Sequence, residues 1–368
     1  MNYLIEEPSQ LRELEPKIRH LCEQGGVVSV DTEFLREKTY NAKLCLLQLG
    51  IAQDQYCIDV LKLDQLQSIC DLFCATNVVK LFHAARQDME VILQTFGVLP
   101  KPIFDTQLAA AFCGADMQLG YGALVEEVTG VTLPKTQSRT DWTRRPLTEE
   151  QIKYAGEDVA YLERLYDHSV EQLEIQDKRA WFDAEIESYY DESLYIIDPE
   201  TAFKRLSGGM LKIKHQHLLK SLANWREAMA QKRDIPRTWV MRDDKLYELA
   251  QSGAKTEQEI IDIGAFGRRS ANRLAKQALQ VIKETEVGVD KIWRKVEPLN
   301  KADKAKCTSL MKQLAAMAEK YNIAQALLGT RKDIEALYRN RQSKKLLRQW
   351  RQPLVGEPLL VALKELEQ

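Results

Sequence analysis

The sequence predicts an α/β fold with a mixed sheet in its first half and an all-helical second half. Three features of the 368 residues support this division. Short apolar strands alternate with helices up to about Thr201, and beyond it only helical periodicity is found. The helical half contains an internal repeat. The charge also changes sign, because residues 1–200 hold 35 acidic and 18 basic side chains, whereas residues 201–368 hold 19 and 34.

The strands of the first half are short and rich in β-branched residues. Residues 26–30 (Gly-Val-Val-Ser-Val) are typical of a buried strand. Residues 44–49 and 56–60 follow as neighbouring strands, and residues 78–82 form a fourth strand that precedes a helix. Strands followed by helices predict a mixed sheet flanked by helices.

The second half shows helical stripes and a repeat. Residues 229–235 align with residues 317–323 at an offset of 88, and the same offset pairs Val240 with Leu328 and Leu246 with Ile334. A shared offset without gaps favours two copies of one helical module. We therefore predict domains at 1–200, 201–290 and 291–368.

The asymmetry of charge indicates a partner for the helical half. A strongly basic segment usually binds nucleic acid or another anionic surface. The charge alone leaves a second interpretation open, in which the basic face is solvated or docks on the acidic half. The net charge of −2 conceals this contrast.

The apolar runs and the cysteines argue against a membrane-spanning, secreted or zinc-binding protein. No run approaches the ~20 apolar residues of a membrane-spanning helix, and the N-terminus resembles no secretory signal. Seven scattered cysteines without a Cys-x-x-Cys pair indicate reduced thiols and make zinc improbable. We therefore expect a cytoplasmic protein with no membrane association and no evident obligate protein partner.

Four acids and a tyrosine are the candidate catalytic residues. Asp31 and Glu33 end the first buried strand and point to the same face. Asp88 lies in the first turn of the helix after the fourth strand. Tyr154 and Asp158 are four residues apart on a helix that begins at a predicted capping box. Each feature alone also fits a structural role, as a solvated strand end, a complement to the helix dipole or a surface hydrogen bond.

Taken together, these side chains predict a metal site. Carboxylate oxygens without nearby Cys or His ligands suit Mg²⁺ or Mn²⁺. Two such ions can clamp the attacking and leaving oxygens of an in-line phosphoryl displacement. Bound cations would also explain why acids that repel each other are tolerated in one place.

The ordered motifs resemble those of a known family. Asp31-x-Glu33, His83-Ala-x-x-x-Asp88 and Tyr154-Ala-x-x-Asp158 are similar to the three exonuclease motifs of the DEDD superfamily, tyrosine subtype, and within it of the ribonuclease D family. The repeated basic modules resemble HRDC domains. The resemblance implies a ribonuclease-H-like exonuclease domain followed by two HRDC-like helical domains.

The resemblance also implies an activity and roles for the residues. The reaction would be 3′→5′ hydrolysis of RNA that releases 5′-mononucleotides, chiefly in trimming tRNA precursors with 3′ extensions. Asp31, Glu33 and Asp158 would hold one of two Mg²⁺ or Mn²⁺ ions, Asp31 would bridge to the second, and Asp88 would hold ions through water. Tyr154 would position the attacking water and help to deprotonate it.

Three further residues are candidates for substrate binding, each with a structural alternative. Phe34 could stack on the terminal base or belong to the core. His83 could contact the ribose or be a satisfied structural histidine. Arg139 could bind phosphate or pair with Asp141. Two other functions stay open from sequence, namely a 3′→5′ DNA exonuclease and a non-catalytic nucleic-acid-binding protein.

Overall fold

A computed structural model describes residues 1–134, 140–267 and 269–367 of the chain. Its contacts divide the chain into two compact units. The first unit comprises Met1–Leu35, Leu44–Glu192 and Leu299–Gln368, and the second comprises Arg36–Lys43 and Ser193–Pro298. No helix in the described ranges is long and apolar enough to cross a membrane.

A six-stranded sheet lies at the centre of the described part of the first unit. The strands are β1 (Asn2–Ile5), β2 (Gly26–Leu35), β3 (Lys43–Ile51), β4 (Asp54–Ile58), β5 (Val78–Phe82) and β6 (Ile103–Asp105). Their order is β1-β4-β3-β2-β5-β6, with β2 in the interior of the sheet. The pairs β1–β4, β2–β5 and β5–β6 are parallel, whereas β3–β4 is antiparallel. The predicted mixed sheet is confirmed, and β1 and β6 are strands that the sequence analysis did not identify.

Helices flank this sheet. They are α1 (Pro8–Gln24), α2 (Gln67–Cys74), α3 (Arg86–Phe96), α4 (Thr106–Phe112), α5 (Tyr121–Thr129), α6 (Glu149–Ala160), α7 (Leu162–Ile175) and α8 (Arg179–Ile186). The core between sheet and helices is apolar, and Leu46, Phe73 and Phe82 in it are fully buried. α6 begins at the predicted capping box, in which Thr148 and Gln151 bond to each other's backbone.

The second unit is helical around its own core. Its α-helices are α9 (Ile213–Lys232), α10 (Arg237–Val240), α11 (Asp243–Ser252), α12 (Glu257–Asp262) and α13 (Ala271–Glu284). Leu219, Leu222, Leu246 and Ile260 lie in the buried core, and Trp225 packs against it. α12 begins at the capping box of Thr256 and Glu259.

Residues 299–368 repeat part of the helical arrangement of the second unit. Their α-helices are α14 (Lys301–Tyr321), α15 (Gln325–Leu328), α16 (Arg331–Asn340) and α17 (Glu357–Glu365). α10 and α11 shifted by 88 residues coincide with α15 and α16, as the sequence repeat predicts. That this stretch is a second HRDC-like domain stays a prediction.

This last stretch packs within the first unit, on the helices that follow the sheet. The ring of Trp350 stacks on Trp181 with centroids 5.5 Å apart. Arg351 Nη1 lies 2.7 Å from Glu185 Oε2. Lys178 Nζ donates to the Asn322 carbonyl at 2.8 Å. These contacts explain why residues 299 onward share a unit with the sheet rather than with α9–α13.

Candidate active site

The central strand β2 presents the first pair of acids. Because alternate residues of a strand share a face, Ser29, Asp31 and Glu33 project on the same side of the sheet. Gly50 of the neighbouring strand β3 has no side chain here, and a Cβ at this position would lie 2.9 Å from the Ser29 Cβ and 3.3 Å from the Val159 carbonyl of α6. The glycine therefore permits the close approach of α6 to the sheet.

α6 brings the second pair of functional side chains to the same place. Candidate ligand oxygens of Asp31, Glu33 and Asp158 all lie within 4.8 Å of one another. Tyr154 lies one turn earlier on α6, and burial and the charges of Asp158, Glu33 and Asp31 all raise the pKa of its phenol, so the phenol lies near the same acids. The ring of Tyr154 packs beside the buried Trp142, at 6.3 Å between centroids. The structure thus brings together three of the four acids predicted from sequence, and Tyr154 lies on the same helix as Asp158.

Asp88 is held separately from this cluster. It is buried in the first turn of α3, and the Thr32 hydroxyl donates to its Oδ1 at 2.5 Å. Asp88 nonetheless repels the clustered carboxylates, because its charge raises the pKa of both Asp31 and Glu33. Asp88 therefore lies beside the three grouped acids rather than among them.

Burial and mutual repulsion oppose ionisation of these acids. Burial, with the charges of Asp88, Asp158 and Glu33, raises the pKa of Asp31 well above its ordinary value. Burial, with repulsion by Asp158 and Asp88, raises the pKa of Glu33 to about 9. Burial raises the pKa of Asp88 and of Asp158 to about 7 each. A divalent cation would offset these costs, and an all-oxygen set of donors fits Mg²⁺ or Mn²⁺.

A buried ion pair anchors the segment that leads into α6. Arg145 Nη2 donates to Asp59 Oδ1 at 2.7 Å and Nε to Oδ2 at 2.5 Å, and Asp59 is fully buried at the end of β4. Arg145 also donates to the carbonyls of Cys45 and Trp142. Asp59 is not among the residues predicted from sequence, where its only distinguishing feature is that an acid follows a strand.

Asp105 anchors the segment that leads into α3. Its carboxylate accepts from the backbone nitrogens of Ala84 and Ala85 at 3.0 and 2.9 Å, and it also caps α4 through Gln107 and Leu108. One buried side chain therefore fixes the turn before Asp88 and the start of the next helix. The sequence analysis did not include it among the site residues.

The three candidates for substrate binding have different surroundings. Phe34 is half-buried near the end of β2. His83 has partners at both ring nitrogens, with Nε2 2.9 Å from the Leu119 carbonyl and Nδ1 3.0 Å from the Thr106 hydroxyl. Burial lowers the pKa of His83, which supports the structural alternative for this residue. Arg139 lies outside the described residues. The substrate contacts of these residues stay predictions.

Comparisons with known proteins agree with this geometry. Residues 4–174 match the family described as 3′-5′ exonuclease, and residues 215–282 match the HRDC domain. The chain is 35% identical to Ribonuclease D of Granulibacter bethesdensis over 341 residues, which are 90% of this chain and 86% of the relative. It is 32% identical to Ribonuclease D of Bartonella henselae over 364 residues, 97% and 89% of the two chains.

The chain belongs to the ribonuclease D family. It is a 3′→5′ exoribonuclease, and its predicted resemblance to the exonuclease family is confirmed, as is that to the HRDC domain over residues 215–282. Its fold matches the crystal structure of Escherichia coli RNase D, described as an exoribonuclease involved in structured RNA processing, with a TM-score of 0.85 and 28% identity over 99% of each chain. Family membership favours this activity over the DNA exonuclease and the non-catalytic binding protein.

The raised pKa values predict how stability depends on pH. A carboxyl group with a raised folded-state pKa binds more protons in the folded state than in the unfolded state. Its contribution to stability is therefore lost as pH rises from an unfolded pKa of about 4 towards folded values of about 7 for Asp88 and Asp158 and about 9 for Glu33. The metal-free protein should have a lower melting temperature at pH 8 than at pH 6.

Thermal unfolding in EDTA and in Mn²⁺ measures this effect. Glu33→Gln removes one of the titrating groups and should flatten the profile, raising the melting temperature at pH 8 by roughly 5 °C. Mn²⁺ should stabilise the wild type more at pH 8 than at pH 6, because protons no longer compete for the oxygens. A profile of the wild type in EDTA that matches that of Glu33→Gln would contradict the account.

Proposed function

We propose that this chain removes single nucleotides from RNA 3′ ends in the cytoplasm, with tRNA precursors that carry 3′ extensions as its principal substrates. The observation that supports the catalytic part most strongly is the cluster of Asp31, Glu33 and Asp158, whose ligand oxygens approach within 4.8 Å. Such a group of repelling, partly buried acids is stable in ionised form only beside a cation.

The electrostatic repulsion among the four acids supports a site for two metal ions. Asp31, Glu33 and Asp158 would hold the first ion. After burial, the charge of Asp88 contributes most to the raised pKa of Asp31, whereas that of Asp158 contributes most for Glu33. Asp31 is therefore the carboxylate proposed to share a second ion with Asp88. When bound, the ions lower the pKa of a bound water and neutralise charge on the reacting phosphate. The chain's part is to fix the carboxylates, which the hydrogen bond from Thr32 to Asp88 illustrates.

Tyr154 acts as a hydrogen-bond donor in this proposal. Burial, followed by the charges of Asp158, Glu33 and Asp31, raises the pKa of Tyr154 above its ordinary value in the metal-free protein. Ions would offset the carboxylate charges, but burial still disfavours a phenolate whose ordinary pKa is already about 10, so in this proposal the phenol keeps its proton near neutral pH. A protonated phenol can orient an attacking water or a phosphate oxygen, but it cannot accept the proton of that water. This assigns Tyr154 positioning alone, a narrower role than the family resemblance implies.

The substrate preference rests on the charges of the helical parts. Residues 193–298 carry 20 basic and 14 acidic side chains, and residues 299–368 carry 14 and 7. Contacts from basic side chains to phosphates provide affinity without selecting bases. A structured RNA such as a tRNA precursor has phosphates beyond its 3′ end that these segments can bind. Phe34 and His83 remain proposed contacts to the terminal nucleotide. Phe34 is half-buried and has an aromatic ring that can stack on a base, whereas both ring nitrogens of His83 already have partners in the protein.

Loss of a ligand carboxylate tests the catalytic assignment. Asp158→Asn should lower the rate of release of 5′-mononucleotides by about 100-fold or more, because it removes a metal ligand and the electrostatic stabilisation it supports. Its affinity for RNA should stay within a few-fold of the wild type. Glu149→Gln, an exposed acid on the same helix, is the matched control and should leave the rate unchanged. Wild-type activity in Asp158→Asn would refute the site.

Removal of one hydroxyl tests the role of Tyr154. Tyr154→Phe should reduce kcat by roughly 100-fold through loss of orientation, with Mn²⁺ affinity nearly unchanged. Because the phenol does not serve as the base, the pH–rate profile of the variant should keep the shape of the wild-type profile. Tyr161→Phe at the end of α6 is the control. A pH–rate profile that loses one limb in Tyr154→Phe would show instead that the phenol transfers a proton.

Neutralising exposed basic residues tests RNA binding by the HRDC domain. Arg269, Arg273 and Lys276 are exposed at the start of α13. Changing all three to Gln should weaken binding of a tRNA precursor and reduce the slope of log affinity against log salt by about 2. Cleavage of a short oligonucleotide should be unaffected. The charge-conserving variant with Lys at 269 and 273 should bind like the wild type. An unchanged salt slope in the Gln variant would exclude this surface.

A further inference from the structure

Gln48 is a polar side chain buried without a partner. It lies in the middle of β3 among apolar residues and is fully buried. Among the described residues, neither its Nε2 nor its Oε1 has a hydrogen-bond partner. Burying an amide without hydrogen bonds costs free energy, and folded proteins rarely leave both atoms unsatisfied. Such a group requires an explanation, either in packing or in function.

The register of β3 with β4 shows which face of the sheet Gln48 occupies. Gln48 is directly opposite Cys57 in this antiparallel pair, and opposed residues share a face. Cys57 Sγ donates to the Ile152 carbonyl of α6 at 3.7 Å. Gln48 therefore lies on the face that α6 covers, the helix that bears Tyr154 and Asp158.

The other neighbour of β3 brings Gln48 opposite an acid of the site. β2 adjoins β3, and their connection of seven residues is too short for a parallel crossover, so the two strands are antiparallel. The closeness of a Gly50 Cβ to the Ser29 Cβ, 2.9 Å, shows that these two residues are opposed. In an antiparallel pair, a step of two residues back along β3 corresponds to a step of two residues forward along β2. Because Gly50 is opposite Ser29, Gln48 is opposite Asp31.

We propose that Gln48 is a positioning residue for Asp31: its Nε2 donates a hydrogen bond to the ionised carboxylate of Asp31 when the site is loaded with metal. The inference rests on the proposed metal site. A neutral amide donates more strongly to a carboxylate than to a carboxylic acid, so the bond favours the ionised form that binds metal. Oε1 then remains available to an ordered water beside the acids.

This role predicts opposite effects on stability and on metal binding. Gln48→Met keeps the volume nearly constant and removes both unsatisfied atoms. The metal-free variant should therefore melt at the wild-type temperature or above it. Its Mn²⁺ affinity should fall by about 10- to 100-fold, as is typical for loss of a residue that orients a metal ligand. A merely structural role would instead lower the melting temperature and leave the affinity unchanged.

The experiment titrates Mn²⁺ into the full-length protein and follows free Mn²⁺ by electron paramagnetic resonance, with thermal unfolding in EDTA alongside. Gln48→Leu serves as a second apolar variant should Gln48→Met fail to fold. Leu49→Met, on the opposite face of β3, is the control for volume-conserving change and should bind Mn²⁺ like the wild type.

The outcomes separate this inference from the proposed function. Weaker Mn²⁺ binding by Gln48→Met with unreduced stability supports the role of Gln48. Affinity within about twofold of the wild type in both apolar variants overturns it, while the metal site itself stands. Failure of the wild type to bind Mn²⁺, or wild-type affinity in Asp31→Asn, would overturn the metal site and with it the role of Gln48.

Discussion

The repulsion between partly buried carboxylates is the constraint on which the site depends. β2 and α6 place Asp31, Glu33 and Asp158 with ligand oxygens within 4.8 Å, and Asp88 adds its charge from α3. The folded chain tolerates this cost because the core of the first unit buries many apolar side chains, such as Leu46, Phe73 and Phe82. A bound divalent cation would offset this repulsion, so the arrangement of acids favours metal binding before any substrate is present.

The scaffold resists this repulsion by fixing the segments that lead into each acidic element. Arg145 and Asp59 anchor the approach to α6, and Asp105 anchors the turn before α3. Gly50 allows α6 to lie close to the sheet. These residues need no contact with RNA to matter for the reaction, because positions of catalytic groups must be held within fractions of an ångström.

The acids could be predicted from sequence because each lies on a regular element. The period of a strand fixes the side of Asp31 and Glu33, and the i, i+4 spacing of a helix places Tyr154 beside Asp158. The ion pair between Arg145 and Asp59 could not be predicted, because it joins residues 86 positions apart that lie on no common element. The packing of residues 299–368 against the helices that follow the sheet could not be predicted either, because a helical repeat indicates a module but not the surface that it contacts.

The positions at which divalent ions bind provide the most direct test of the proposed site. Crystals soaked with Mn²⁺ and a nucleotide 5′-monophosphate, measured at a wavelength with anomalous signal from manganese, give the positions directly. We predict an anomalous peak about 2 Å from carboxylate oxygens of Asp31, Glu33 and Asp158, and a second peak beside Asp31 for the ion that this carboxylate shares. Manganese bound elsewhere, with these carboxylates contacting only one another, would contradict the proposed site.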